Sequence, residues 1–201
     1  RMPIFEGDED YAAFQRVIEE TLRVARMRIC AYCWLPNHWH FVLWPERDGE
    51  LSEFIQRMAN MHTQRWQRAK GKVGYGHLYQ GRFKSFPVES DDYFYRVVRY
   101  VERNALRAGL VARAEAWIWG SLHGRRTNRR GPLQGAWPLP EPTDWCAQVN
   151  QPETEAELEA IRRCVRRGCP YGGDSWADRV AGELGLESTL HPRGRPRRKS
   201  E

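Results

Sequence analysis

Two short runs rich in apolar and aromatic residues, Arg28 to Trp34 and His38 to Trp44, are separated only by Leu35-Pro36-Asn37. Proline and asparagine side by side are a turn signal. Each run is too short for a helix that buries a face but long enough for a strand, and Pro45 ends the second. The pattern therefore predicts a β-hairpin, and whatever else folds must pack on it.

Around the hairpin the periodicity changes. Asp8-Glu9-Asp10 supply a cap and an acidic first turn, and Tyr11, Phe14, Val17, Ile18, Thr21 and Leu22 recur at helical spacing to about Met27. A second helix is predicted over Glu50 to Lys70, with Leu51, Phe54, Ile55, Met58, Met61 and His62 on one stripe. Gly71, Gly74 and Gly76 end it in a loop. Phe83 to Val88 is predicted as a third strand. Ser90-Asp91-Asp92 then cap a helix from Tyr93 to Ala108, stopped by Gly109. This order gives an α+β fold, with helices on one face of a small antiparallel sheet.

Past residue 124 the texture changes. Arg125 to Pro142 is rich in Gly, Pro and Arg and reads as irregular. Short helices are predicted over Glu153 to Arg167 and Ser175 to Leu184, either a helix-turn-helix or a packing hairpin. The expected organisation is a catalytic domain over 1–123, a linker over 124–152, a helical segment over 153–190 and a basic tail over 191–201.

The net charge of +6 points toward a polyanionic partner. No apolar run reaches the ~20 residues of a membrane span. The five Cys are scattered, as suits a reducing cytosol. Cys30 and Cys33 form C-x-x-C without a second pair at zinc-site spacing, and inside a strand they read as buried thiols.

Three motifs carry chemistry. In His38-Trp39-His40, residues two apart on a strand leave the same face about 7 Å apart along the chain, so both imidazoles can share a metal while Trp39 packs behind. Such a pair is more often two strand-end histidines with no ligand. In Tyr100-Val101-Glu102-Arg103-Asn104, positions i and i+4 share a helix face, which sets a phenol beside a carboxamide oxygen. The first is a candidate nucleophile and the second a candidate third ligand, although a lone Tyr is more often a core aromatic. Glu102 is expected to point elsewhere as a solvated charge. In Tyr79-Gln80-Gly81-Arg82-Phe83-Lys84-Ser85-Phe86, cations alternate with aromatics, as suits phosphates and unpaired bases. Phe83 is expected in the core.

Together, Asn37-His38-Trp39-His40-Phe41-Val42-Leu43, Tyr79-Gln80-Gly81-Arg82-Phe83-Lys84 and Tyr100-Val101-Glu102-Arg103-Asn104 through Val111 resemble the REP-associated tyrosine transposases. These are single-strand transposases of the His-hydrophobic-His (HUH) class. The resemblance covers roughly residues 1–123, including Trp117 and Trp119-Gly120-Ser121-Leu122. It implies a ferredoxin-like core with the histidine pair on a central strand. It also implies Mg²⁺ or Mn²⁺ on His38, His40 and Asn104, and Tyr100 as nucleophile. Mixed nitrogen and oxygen ligation suits Mn²⁺ better than Mg²⁺. The implied activity is cleavage of hairpin-bearing, REP-like single-stranded DNA through a 5′-phosphotyrosine, by a monomer or homodimer at the bacterial nucleoid in the cytoplasm. Arg82, Lys84, Arg103 and Arg107 are the expected DNA contacts. Arg193-Gly194-Arg195-Pro196 matches an AT-hook core, in which Arg193 and Arg195 would enter a narrow minor groove; a solubilising basic tail explains it equally. Family members begin with a further strand before the first helix, here absent or reduced to Arg1 to Phe5. A fragment or a domesticated, inactive DNA-binding copy is the alternative expectation.

Overall fold

The computed structural model describes residues 3–74, 76–127 and 133–191. Contacts divide the chain into two compact units, one of residues 1–83 and 97–152 and one of residues 84–96 and 153–201.

The first unit is built on the predicted hairpin, β1 (Arg28–Leu35) and β2 (His38–Trp44), paired antiparallel. Cross-strand partners share a face. Leu35↔His38 and Cys33↔His40 therefore lie on one side of the sheet, and Trp34↔Trp39 and Tyr32↔Phe41 on the other. The aromatic side meets α1 (Asp8–Val24) and α2 (Glu50–Ala69). There Phe14 packs edge-on against Trp34 at 5.1 Å, inside a core that includes Phe5, Ile18, Phe54 and Met58. Arg65 of α2 grips Glu20 of α1 with two hydrogen bonds, at 2.8 and 2.7 Å. The histidine side meets a helix broken in two, α3 (Asp92–Glu102) and α4 (Asn104–Arg107). Helices thus cover both faces of the sheet, whereas the sequence pattern placed them on one. Strand-by-strand alternation that is apolar on both sides signals two covered faces, and Leu35, Cys33 and Ala31 are as buried as Trp34.

The fold is α+β, as expected, but among the described residues the sheet has two strands. Phe83 to Val88 forms no strand: its end makes one isolated parallel bridge, Val88 with Tyr171. Pro3 to Phe5 form no strand either; the amides of Ile4 and Phe5 both donate to the Pro36 carbonyl, at 2.7 and 3.0 Å. An unpaired strand edge leaves donors and acceptors that must be met elsewhere. Trp117, Trp119, Ser121, Gly135 and Trp137 meet them along β1. Trp34 N–H donates to the Trp119 carbonyl at 3.1 Å, and Gly135 N–H donates to the Ile29 carbonyl at 2.9 Å. Tyr32 N–H donates to Ser121 Oγ at 3.0 Å, and the Trp117 indole donates to the Trp34 carbonyl at 2.9 Å. The Trp137 indole donates to the Cys30 carbonyl at 2.8 Å. The unit is completed by α5 (Ser121–Arg126) and α6 (Trp145–Asn150).

In the second unit, α7 (Glu155–Arg167) opens on a capping box between Thr154 and Glu157, and Gly168 closes it at φ 74°, a left-handed conformation that suits glycine. Then α8 (Asp174–Leu184) and α9 (Glu187–Leu190) follow. The Gly173 amide at the start of α8 donates to the Glu89 carboxylate at 2.8 Å. Tyr171 holds the extended stretch before α3 through two backbone bonds, to Pro87 and Glu89.

Candidate active site

β2 begins at His38, so both histidines leave the hairpin on the face opposite Trp39. Their ring centres stand 4.9 Å apart, with planes crossed at 84°. His38 Nδ1 lies 2.5 Å from Asn37 Oδ1. An amide oxygen only accepts, so Nδ1 carries the proton in this bond. The Tyr100 ring meets His40 edge-on, 6.0 Å between centres. The Arg107 guanidinium sits 4.1 Å over the Tyr100 ring and donates to the Tyr100 carbonyl at 3.1 Å. Asn104 opens α4 one turn after Tyr100 and is buried. Its neighbour Ala105 touches, through its backbone, the thiol of Cys33, the cross-strand partner of His40. Burial pushes that thiol up to about 12, so it is inert. Cys30 and Cys33 are both fully buried and free, as expected.

The histidine pair fits a shared cation. With a metal–imidazole bond of about 2.1 Å, two rings on one ion at 90–109° have centres roughly 4.6–5.3 Å apart. The observed 4.9 Å falls within that span. Among the described residues no group of three or more His, Cys, Asp or Glu is placed to hold a metal.

Behind the histidines, Trp39 is held by its indole, which donates to Tyr79 Oη at 3.1 Å. Tyr79 Oη lies 2.5 Å from Nδ1 of the buried His62. Since Oη already accepts from Trp39, its proton goes to His62 Nδ1. Burial lowers the His62 pKa to about 4, in agreement with a neutral ring accepting there. Tyr79, the first residue of the Tyr79-Gln80-Gly81-Arg82 motif, is thus a structural anchor.

The expected DNA contacts divide. Arg82 and Lys84 are exposed. Arg103 turns toward α6 and donates to the carbonyls of Val149 and Asn150, at 3.4 and 2.9 Å, and Arg107 is engaged with Tyr100. Arg193 and Arg195 lie outside the described residues. Phe83 is 39% exposed and not core, because no strand forms to turn it inward.

Glu102 is the largest correction. It is 2% exposed instead of solvated. Its Oε1 accepts from Ser121 Oγ at 2.5 Å and Arg125 Nε at 3.1 Å, and its Oε2 accepts from the Trp145 indole at 2.7 Å. The signal was present in the spacing: Val98, Val101, Glu102 and Ala105 follow i, i+3, i+4, i+7, a buried stripe with one carboxylate in it. A carboxylate on such a stripe needs buried partners. Arg125 and Trp145 belong to the stretch expected as a linker, where periodicity carries no information.

The family model for IS200-like transposases matches residues 1–104, which takes in the hairpin, α1, α2 and both ends of the Tyr100–Asn104 pair. The chain belongs to the IS200-like transposase family. One solved structure similar to this IS200-like transposase is that of the REP-associated tyrosine transposase bound to a REP hairpin. It has 18% identity and a TM-score of 0.51, over 74% of this chain and 83% of that one. At that identity the likeness concerns the fold. No curated protein gives a significant match. The family match ends at Asn104, so the residues that bury Glu102 lie beyond it.

Proposed function

We propose that this IS200-like transposase is a metal-dependent endonuclease and strand transferase for single-stranded, hairpin-bearing DNA, with Tyr100 as its nucleophile. One observation carries this reading: separate elements bring the crossed His38–His40 pair and the Tyr100 ring to one face of the hairpin. His38, His40 and Asn104 would hold Mn²⁺ or Mg²⁺. Bound there, the cation would withdraw charge from the scissile phosphate and orient it for in-line attack.

A phenol with a pKa near 10 is a weak nucleophile at neutral pH, so its placement matters. The Tyr100 oxygen attacks phosphorus and gives up its proton, the P–O3′ bond breaks, and the leaving oxygen becomes a 3′-OH. A 5′-phosphotyrosine remains, and attack by another 3′-OH reverses the step. Arg107 fixes the ring from its face and by its carbonyl, which restricts the phenol before DNA arrives. Arg82 and Lys84 are exposed cations for the DNA backbone, and the tail from 191 to 201 would add a second, AT-hook-like contact. Hairpin DNA as the substrate class draws support from the solved relative, itself bound to a REP hairpin. No helix among the described residues is long and apolar enough to cross a membrane. We place its work in the cytoplasm, at the nucleoid.

The test mixes protein, labelled single-stranded hairpin DNA and Mn²⁺, beside Tyr100→Phe, and looks for an adduct that survives denaturation. An adduct absent from the variant supports the reading. DNA binding without any adduct across a broad hairpin library would instead leave an inactive DNA-binding protein.

A further inference from the structure

We infer that Glu102 is a positioning residue: by accepting three hydrogen bonds from α5 and α6 it sets the break between α3 and α4 that presents Tyr100 to the histidine face. The inference rests on the proposed role of Tyr100.

Glu102 sits midway between Tyr100 and Asn104, at the last residue of α3. Its carboxylate is fully enclosed and pairs with Arg125, whose side chain is 3% exposed. Three donors converge on two oxygens: a hydroxyl, a guanidinium and an indole. Two of the donors are themselves tied to the scaffold. Ser121 Oγ accepts from Tyr32 N–H on β1, and Arg125 also donates to the Cys30 carbonyl while stacking 4.3 Å from the Trp137 ring. Glu102 therefore fastens the α3–α4 corner to the backbone of the strand beside His38 and His40. The next residue repeats the theme, since Arg103 caps the last carbonyls of α6. Backbone bonds resume on either side of the break, Arg103 to Arg99 and Ala108 to Asn104, both 2.9 Å.

A buried ion pair is seldom the most stable filling for a core, since hydrophobic residues of like volume often do as well or better. What the carboxylate adds is direction. It satisfies three donors of fixed geometry at once, and a residue two places from the nucleophile is where an ångström of slack matters, because small misplacements can slow a reaction about a hundredfold.

The experiment uses the full chain with 3-fluorotyrosine at position 100, whose ¹⁹F resonance reports the ring's surroundings without any reaction. Glu102→Gln places an amide N–H₂ against a donor; Trp145→Phe removes only the bond to Oε2, and Ser121→Ala removes one of those to Oε1 together with the bond from Tyr32 N–H. The two milder variants keep the test open if Glu102→Gln does not fold. In the folded variants we expect the resonance to move or broaden. We also expect the single-turnover adduct rate at saturating DNA to fall at least about tenfold, with the DNA dissociation constant within about twofold of wild type. An unchanged resonance in folded variants overturns the inference, whatever the rate does, and so does a shifted resonance with a wild-type rate. If the wild-type chain forms no adduct, the cleavage reading fails, while the ¹⁹F comparison still decides whether Glu102 places Tyr100.

Discussion

His62 shows how one buried side chain makes stability depend on pH. The ring stacks on Phe5 at 5.6 Å and tilts against Phe14 at 4.6 Å, and its Nδ1 accepts a hydrogen bond from the Tyr79 hydroxyl. Unfolded, it binds a proton near pH 6.5; folded, only near pH 4. Between these values the unfolded state holds more protons, so stability falls as pH drops from about 6.5 to about 4 and then levels, by at most roughly 3 kcal/mol. Urea midpoints across that window should show this slope, and His62→Phe should flatten it. Arg107 is the second residue whose effect can be read alone. The cation over the Tyr100 ring contributes roughly 0.5–2 kcal/mol of placement, so Arg107→Met should slow adduct formation roughly two- to thirtyfold. DNA affinity should change less than the rate, as single-turnover kinetics with a binding titration would show.

At the scale of elements, the hairpin and helices α1, α2, α7 and α8 were legible because each advertises itself locally. The hairpin has its Pro36-Asn37 turn, and α1 and α2 have apolar stripes ending in glycine or a charged turn. The third strand failed for a physical reason. Phe83 to Val88 has strand-like residues, but a strand exists only if a partner edge is free, and β1's outer edge is taken by Trp119, Ser121, Gly135 and Trp137. The continuous helix from Tyr93 to Ala108 broke at Arg103, where buried side-chain bonds on Glu102 and Arg103 override good local propensity. Two element-scale outcomes can be measured. Thr154→Ala removes the capping box of α7 and should cost about 1 kcal/mol, visible as faster amide exchange in its first turns. Gly172→Ala puts a Cβ 2.5 Å from the Trp176 ring and 2.7 Å from Glu89 Oε2. It should push Glu89 off the α8 amide and cost roughly 1–3 kcal/mol in urea unfolding.

At the scale of the whole molecule, the segment past residue 123 decides whether the site exists. A chain ending there keeps the two histidines, Tyr100 and Asn104, yet strips Glu102 of Arg125 and Trp145 and bares the edge of β1 at Cys30 and Ile29. Uncovering one member of a buried pair costs roughly 3–5 kcal/mol, comparable to a small domain's whole stability of roughly 5–15 kcal/mol. A 1–123 fragment should therefore melt without a cooperative transition by circular dichroism, where the full chain melts sharply. The sequence by itself determined the hairpin, the shared face of His38 and His40, and the helical spacing of Tyr100 and Asn104, because strand alternation and helix periodicity are local rules. It also carried the family's motifs in order. Only the tertiary structure decided that Tyr100 meets His40 and that Trp119, Ser121, Gly135 and Trp137 close the sheet edge. It alone decided, too, that Glu102 is a buried anchor with partners 19 and 43 residues away. Such pairings depend on which surfaces meet once the chain has collapsed, and no periodicity within a single element encodes them.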